Sequence, residues 1–340
     1  MNQAPIVGIS MGDPAGIGPE IIAAALAKPR PYELCRPLVI GDARVVRRAC
    51  GFAGVTLDVR PVRSVADAGF SPGTIDVLDL ANADPASFEL GKISAVAGHA
   101  AFEAVRVLID LAMKKQVAAT VTAPIHKEAL ALAGHHFPGH TEIFAHFTGT
   151  SDFTMMLAAG PVRVVHVSTH VSLRQACDAV TRRRVLTVIQ LGHEACRKLG
   201  IHRPRIGVAG LNPHASDGGL FGTEERDHII PACQDARQLG INVDGPQPAD
   251  TFFPKVVAGA YDLAVAMYHD QGHIPAKLQG FTYDANRGIW TRVHGINVSL
   301  GLPIVRASVD HGTAFDQAGK GTASDASLLD AIEYAAKMAR

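Results

Sequence analysis

Short apolar runs alternate with segments of helical spacing along the whole chain. "PIVGISM" (5–11) is a nearly unbroken apolar run, and "PEIIAAALA" (19–27) follows with the apolar density of a buried helix. "PLVIGD" (37–42) reads as a strand. Residues 98–116 place apolar side chains at helical spacing, and "AATVTAP" (118–124) reads as a buried strand. "HKEALALAG" (126–134) predicts a helix ended by Gly134. "MMLAAG" and "VRVVHVST" (162–169) read as neighbouring strands, and 181–199 as a long helix with Gly200 at its end. "RIGVAGLN", "DLAVAMYH" and "PIVRASVD" are further strands. "SDASLLDAIEYAAKMAR" closes the chain as a helix with Ser324 at its cap. Residues 69–97 are loop-rich, with room for a small antiparallel element. Short apolar strands separated by helices predict an α/β fold with mainly parallel sheets and helices on both faces.

Composition narrows the classes. The 340 residues suit two domains or one large α/β unit, and 47% hydrophobic residues supply ample core. Thirty-two basic residues balance 32 acidic ones, so neither a nucleic-acid stripe nor a polybasic membrane face is expected. No apolar run approaches the ~18 residues of a membrane span. The start, "MNQAPIVGISMGD", reads as a first strand and not as a signal segment, which makes a cytoplasmic location the expectation. Cys35, Cys50, Cys177, Cys196 and Cys233 are scattered and form no CxxC pair, which argues against a thiolate metal site or a disulfide framework. The 16 histidines are an excess that needs a cause.

In α/β sheets, ligands collect beyond the carboxyl ends of strands. After the first strand comes "MGDPAGIGPE" (11–20). Its glycines permit tight turns and its helix start offers free amides, but it is neither GxGxxG nor a P-loop, so it reads as a structural turn or a ligand loop. Three strands each deliver a histidine at or just past that end: His170, His214 and His269. Three imidazoles leave open positions on Zn²⁺, Co²⁺ or Mn²⁺, the pattern of a catalytic metal, although the wide spacing is no local metal motif. His166, inside its strand, reads as a core histidine. His273 reads as a neighbour of the site or of a helix start. "GHTE" (139–142) reads locally as a helix cap at Thr141, and Glu224 and Glu225 suit a helix start. Lys277 is either a solvated helix lysine or an anion grip and base. Arg306, inside an apolar strand, wants a carboxylate or phosphate partner.

Together these stretches resemble the PdxA family, the 4-hydroxythreonine-4-phosphate dehydrogenases and their relatives. The resemblance runs nearly end to end. It rests on "MGDPAGIGPE", TAP-x-x-KEAL, "GHTE", "NPHA" with GLFG-x-EE, "ADT" (249–251), "YHDQG", and "SVDHGTAFD" with "AGKG". It implies a two-domain fold like that of isocitrate and isopropylmalate dehydrogenases, with mainly parallel sheets and a cleft between domains. The expected domains are 1–125 with 305–340, and 126–304, the latter carrying most of the metal and substrate ligands. It implies NAD (or NADP) bound without a Rossmann fingerprint, a divalent metal (Zn, Co, Mn or Mg), and a homodimer whose site is shared across the interface. His170 and His214 of one subunit and His269 of the other would hold the metal. His140, Thr141, Lys277, Asn297 and Arg306 would bind a small phosphorylated substrate. Lys277, Asp250 and Asp270 would serve the chemistry, with Lys277 as base.

The implied reaction is oxidation with decarboxylation of a 4-phosphorylated four-carbon hydroxy acid, either 4-phosphohydroxy-L-threonine or D-threonate/D-erythronate 4-phosphate. "HIPAKLQGF" after "YHDQG" resembles the second, sugar-acid subgroup, whereas the vitamin-B6 enzymes usually have a leucine-proline start. By the same resemblance, relatives that oxidise aromatic cis-dihydrodiol carboxylates share the HIP form but lack the Asn–Arg pair kept here. Residues 281–296, with Trp290, look longer than usual and lie between two substrate motifs. A metal-dependent hydrolase is the main alternative, since an open metal position can also activate water. An acyltransferase and a non-catalytic anion-binding protein are the other rivals.

Overall fold

The structure, a computed structural model, describes residues 4–340, and for 289–293 the backbone alone. Its contacts group into two units, Met1–Ser151 with Leu302–Arg340, and Asp152–Gly301. In chain order the strands are β1 (Ile6–Ser10), β2 (Arg36–Gly41), β3 (Asp58–Val62), β4 (Thr74–Asp79), β5 (Ala119–Thr122), β6 (Thr154–Ala159), β7 (Val162–His166), β8 (Ile206–Ala209), β9 (Val243–Gln247), β10 (Leu263–Ala266), β11 (Phe281–Asp284), β12 (Ile289–Val293), β13 (Ile296–Leu300) and β14 (Arg306–Val309).

In the first unit the strands run in the order β3-β4-β2-β1-β5-β14 and every pairing is parallel. Residues 69–97 therefore supply a parallel strand, β4, and not an antiparallel element. The edge strand β3, "DVRPV", has a proline and two charges that hide it from an apolar-run reading, and an edge position tolerates them. Leu38 and Ile40 of β2 pack with Ala104 and Leu108 of the helix Ala95–Met113. The helix Ala326–Met338 covers β14 and β5; Asp325 and not Ser324 is at its cap position, and Ser324 Oγ, one residue earlier, accepts from Ala326 N at 3.3 Å.

Residues 126–151 pack in this first unit, not with the second domain. Leu130, Ile143 and Phe144 join Phe102, Val105 and Ile109 of the helix Ala95–Met113 in one core. Gly98 makes that approach possible, because a side-chain carbon there would overlap the Ala129 backbone. The pattern showed each helix but not the partner of its apolar face.

In the second unit the order is β13-β6-β7-β10-β8-β9. β13, β6 and β7 pair antiparallel, and β7, β10, β8 and β9 pair parallel. Val164, Ala264, Ala266, Phe252 and Ala276 form its core. The helix His269–Gly280 lies over β7 and β10. Residues 281–293 form a separate two-stranded hairpin. His294 N donates to Gly280 O at its base, and Asp284 Oδ1 accepts from Asn286 N and Arg287 N at its turn. The Trp290 side chain lies outside the described residues. Among the described residues no helix is long and apolar enough to cross a membrane.

Candidate active site

The three histidines singled out by spacing follow three adjacent parallel strands. His170 comes four residues after β7, His269 three after β10 and His214 five after β8. The His170 and His269 rings lie 5.9 Å apart, centre to centre, and line one recess of about 550 Å³ with Asp270 and Tyr268. Asp270 is exposed, and its Oδ1 lies 2.6 Å from His269 Nδ1. A carboxylate there fixes the proton on Nδ1 and leaves Nε2 with a lone pair.

His214 is exposed on a loop whose backbone is left-handed from His214 through Gly218. Its ring is 6.4 Å from that of Phe221. Glu225 stands at the start of the helical turn Glu225–Ile229, as expected, and it also ties this loop down. Its Oε1 accepts from Leu211 N and Asn212 N at 2.7 Å, and Asn212 Nδ2 donates to both Glu224 and Glu225. Among the described residues of one chain, no three His, Cys, Asp or Glu side chains are grouped to hold a metal.

His269 begins a helix, and both Asp270 and Lys277 belong to it. Lys277 lines a second recess of about 540 Å³ together with His269, His273, Ile274 and Leu278, and its Nζ lies 5.1 Å from the Phe281 ring centre. His273 is not a helix-start neighbour but a buried residue of this helix. Burial is the first cause holding His166 down to about 3 and His273 to about 4, so both are neutral at physiological pH. Asn297, on β13, donates to Met155 Sδ and keeps an enclosed Oδ1 with no hydrogen-bond partner. Asp250 is exposed in the first turn of the helix Ala249–Val257, after β9.

The other candidates fall in the first unit. Arg306, at the start of β14, is buried; it donates to Thr122 Oγ1 at 2.9 Å and to Thr141 Oγ1 at 3.3 Å, and it lies over the Phe144 ring. Burial pulls its guanidinium down to about 9, and Glu142 acts in the opposite direction, so it stays charged at neutral pH. Thr141 is inside the helix His140–Thr148, with Gly139 at the cap position, so its hydroxyl serves Arg306 and not the helix end. The His140 Nε2 is enclosed without a partner, and desolvation, then Arg306, holds the ring well below its ordinary pKa.

Two further groups here were assigned no role from the sequence. Asp13, in the loop after β1, is fully buried. Its Oδ1 accepts from Ala15 N while Oδ2 has no partner, and burial raises it to about 6. His311, after β14, has Nδ1 3.1 Å from Gly312 O, and its Nε2 is enclosed without a partner. Both stand in quoted motifs, but burial and an unfilled hydrogen-bond position are not readable from residue type.

A family model described as pyridoxal phosphate biosynthetic protein PdxA matches residues 33–335. The chain belongs to the PdxA family. It is 46% identical over 339 residues to the D-threonate 4-phosphate dehydrogenase of Cupriavidus necator, covering 99% of this chain and 98% of that one. A 4-hydroxythreonine-4-phosphate dehydrogenase structure from Burkholderia phymatum matches with TM-score 0.84 and 43% identity, over 99% of both chains. A terephthalate 1,2-cis-dihydrodiol dehydrogenase from Burkholderia xenovorans matches with TM-score 0.69 and 33% identity, over 98% of both. As a PdxA-family member the chain is an NAD-dependent dehydrogenase of the oxidative-decarboxylase type, acting on a 4-phosphorylated hydroxy acid. The hydrolase alternative is thereby set aside.

PdxA-family dehydrogenases use NAD and a divalent metal. The donor set after β7 and β10 fits such an ion: two neighbouring imidazoles, one with its tautomer set by a carboxylate so that Nε2 can ligate.

Proposed function

We propose that this PdxA-family chain oxidises and decarboxylates D-threonate 4-phosphate, with NAD and a divalent metal, as a homodimer. The observation that carries the phosphate in this reading is Arg306, a buried cation on β14 that donates to the hydroxyls of Thr122 and Thr141. A dianionic phosphate is the ligand such a cation favours. Two further points support the sugar acid: the full-length relatives bear that name, and His273 opens the HIP form of the sugar-acid subgroup.

In this reading Arg306 and Thr141 bind the phosphate, and His140 and Asn297 orient the carbon chain. Lys277 takes the proton of the hydroxyl being oxidised. Asp270 keeps the His269 proton on Nδ1. His170, His214 and His269 would hold the metal, which would lower the pKa of the substrate hydroxyl, and NAD would supply the hydride acceptor. Asp13 Oδ2 and His311 Nε2 have unfilled acceptor positions of the kind that ribose hydroxyls satisfy. The oxidised product is a β-keto acid, whose loss of CO₂ completes the reaction. Exposed Ile274 and Leu278, four residues apart on the helix that carries His269, support a face covered by a second copy.

The test is NADH appearance with chelator-stripped protein and Zn²⁺, Mn²⁺, Co²⁺ or Mg²⁺ added back. The substrates are D-threonate and D-erythronate 4-phosphates, 4-phosphohydroxy-L-threonine, the unphosphorylated acids and one aromatic dihydrodiol acid. Metal-dependent turnover of D-threonate 4-phosphate, ahead of the amino acid, is the expected result. Turnover of the dihydrodiol alone would make the phosphate grip wrong.

A further inference from the structure

We infer that His273, backed by His166, is a positioning residue that sets the ring of His269 for metal binding. The inference rests on the reading of His269 as a metal ligand. His269 and His273 are four residues apart on one helix, so they share a face. Their rings stack at 3.7 Å with only 10° between their planes. His273 Nδ1 is 3.1 Å from the carbonyl oxygen of His269 and 3.1 Å from His166 Nε2. A carbonyl oxygen only accepts, so His273 carries its proton on Nδ1. His166 Nε2 then accepts, and its own proton sits on Nδ1, 3.5 Å from Met155 O. One set of tautomers satisfies all three contacts.

This arrangement is built into the surroundings. His166 is fully buried in β7 and His273 is 6% exposed. The residue before His273 is Gly272, where a side-chain carbon would overlap His166 Nε2 and crowd Val164. His273 therefore cannot turn away from His269 without leaving a buried donor and a buried acceptor unmatched. His269 is held on one face by the His273 ring and at Nδ1 by Asp270. Its remaining nitrogen, Nε2, has one direction to present. Groups that orient a ligating histidine typically change metal affinity ~10–100-fold when removed.

The test is Co²⁺ titration of the chelator-stripped, full-length protein. It reads the visible ligand-field spectrum and the dissociation constant without any turnover. His273→Leu keeps bulk but removes the donor and the aromatic stack. It should weaken Co²⁺ at least ~10-fold and alter the band shape. His273→Asn, which restores a donor near Nδ1, should recover part of the affinity, and it decides the matter if the leucine variant does not fold. His166→Leu should weaken Co²⁺ in the same sense but less. His269→Ala is the control. If it loses Co²⁺ while folded His273→Leu and His273→Asn bind with wild-type affinity and spectrum, the pair is core packing and the inference is overturned. If His269→Ala itself binds as wild type, the ligand assignment of His269 fails instead.

Discussion

At the scale of single residues, the site is defined by polar groups held in places that cost stability. Arg306 is the clearest. Arg306→Met removes a buried charge but leaves the strand's volume, and such replacements are often neutral or stabilising. Its melting temperature should therefore stay level or rise, while KM for a phosphorylated substrate rises ~100-fold, or about 2.7 kcal/mol. KM for the unphosphorylated acid should hardly move; an equal loss against both substrates would assign Arg306 to the scaffold. Asp13 makes the same point through pH. Burial lifts its carboxyl from 3.8 to about 6, so the folded protein prefers it protonated. Above pH ~6 the ionised group opposes folding by about 3 kcal/mol, and below pH ~4 both states are protonated and the penalty is gone. Asp13→Asn should accordingly raise the melting temperature at pH 7.5, and the gain should vanish near pH 4. A flat difference between the two pH values would show that Asp13 is not held ionised against its burial. Residue type disclosed Arg306 as a candidate, since a charge in an apolar strand is conspicuous, but it did not disclose Asp13, a loop residue whose burial sets its behaviour. It did not disclose Thr122 as the partner of Arg306, because their strands are 184 residues apart and only the sheet brings them together.

At the scale of elements, the sequence showed the strands whose apolar runs are continuous and missed those whose surroundings are not. β5 and β10 lie in the sheet interior and are buried throughout, so nothing polar interrupts them. β3 lies at an edge and carries Pro61 and Arg60, so its strand character depends on β4 beside it. The loop after β8 was legible as glycine-rich, but its backbone was not. His214, Ala215, Ser216 and Asp217 all have φ between 46° and 69°, a left-handed run that costs non-glycine residues roughly 1–2 kcal/mol each. Glu225 and Asn212 hold it from below. Asp217 is exposed in that run, so Asp217→Gly should relieve strain and stabilise the protein by about 1 kcal/mol, a rise of ~1–3 °C in thermal melting. Destabilisation would mean that the Asp217 side chain, not the backbone, secures the loop. The strained run sets the position of His214, and a loop with one strained shape places a ligand more narrowly than a slack one.

At the scale of the whole molecule, the question is how many chains make one site. His170 and His269 lie side by side within a chain, and among the described residues no three candidate ligands of one chain are grouped to hold a metal. The resemblance that identified the family also implies that His269 is lent to a partner copy, a relation no single-chain pattern can express. The two arrangements make opposite predictions for mixed variants. Suppose His170 and His214 act in one subunit with His269 from the other. A heterodimer of His269→Ala and His170→Ala then has one site with both lesions and one site intact. Random exchange puts about half of the dimers in that form, so activity should return to roughly a quarter of wild type, a binomial limit that assumes independent sites and equal mixing. If all ligands of a site come from one chain, every site in the mixture lacks a histidine and no activity returns. Subunit exchange must be shown separately, for example by mass spectrometry of differently labelled subunits. With exchange shown, silence in the mixture would place His170 and His269 in the same site of the same chain, as their 5.9 Å separation also permits. Recovery would instead make the dimer the smallest catalytic unit, since a separated subunit would then hold only part of its metal site.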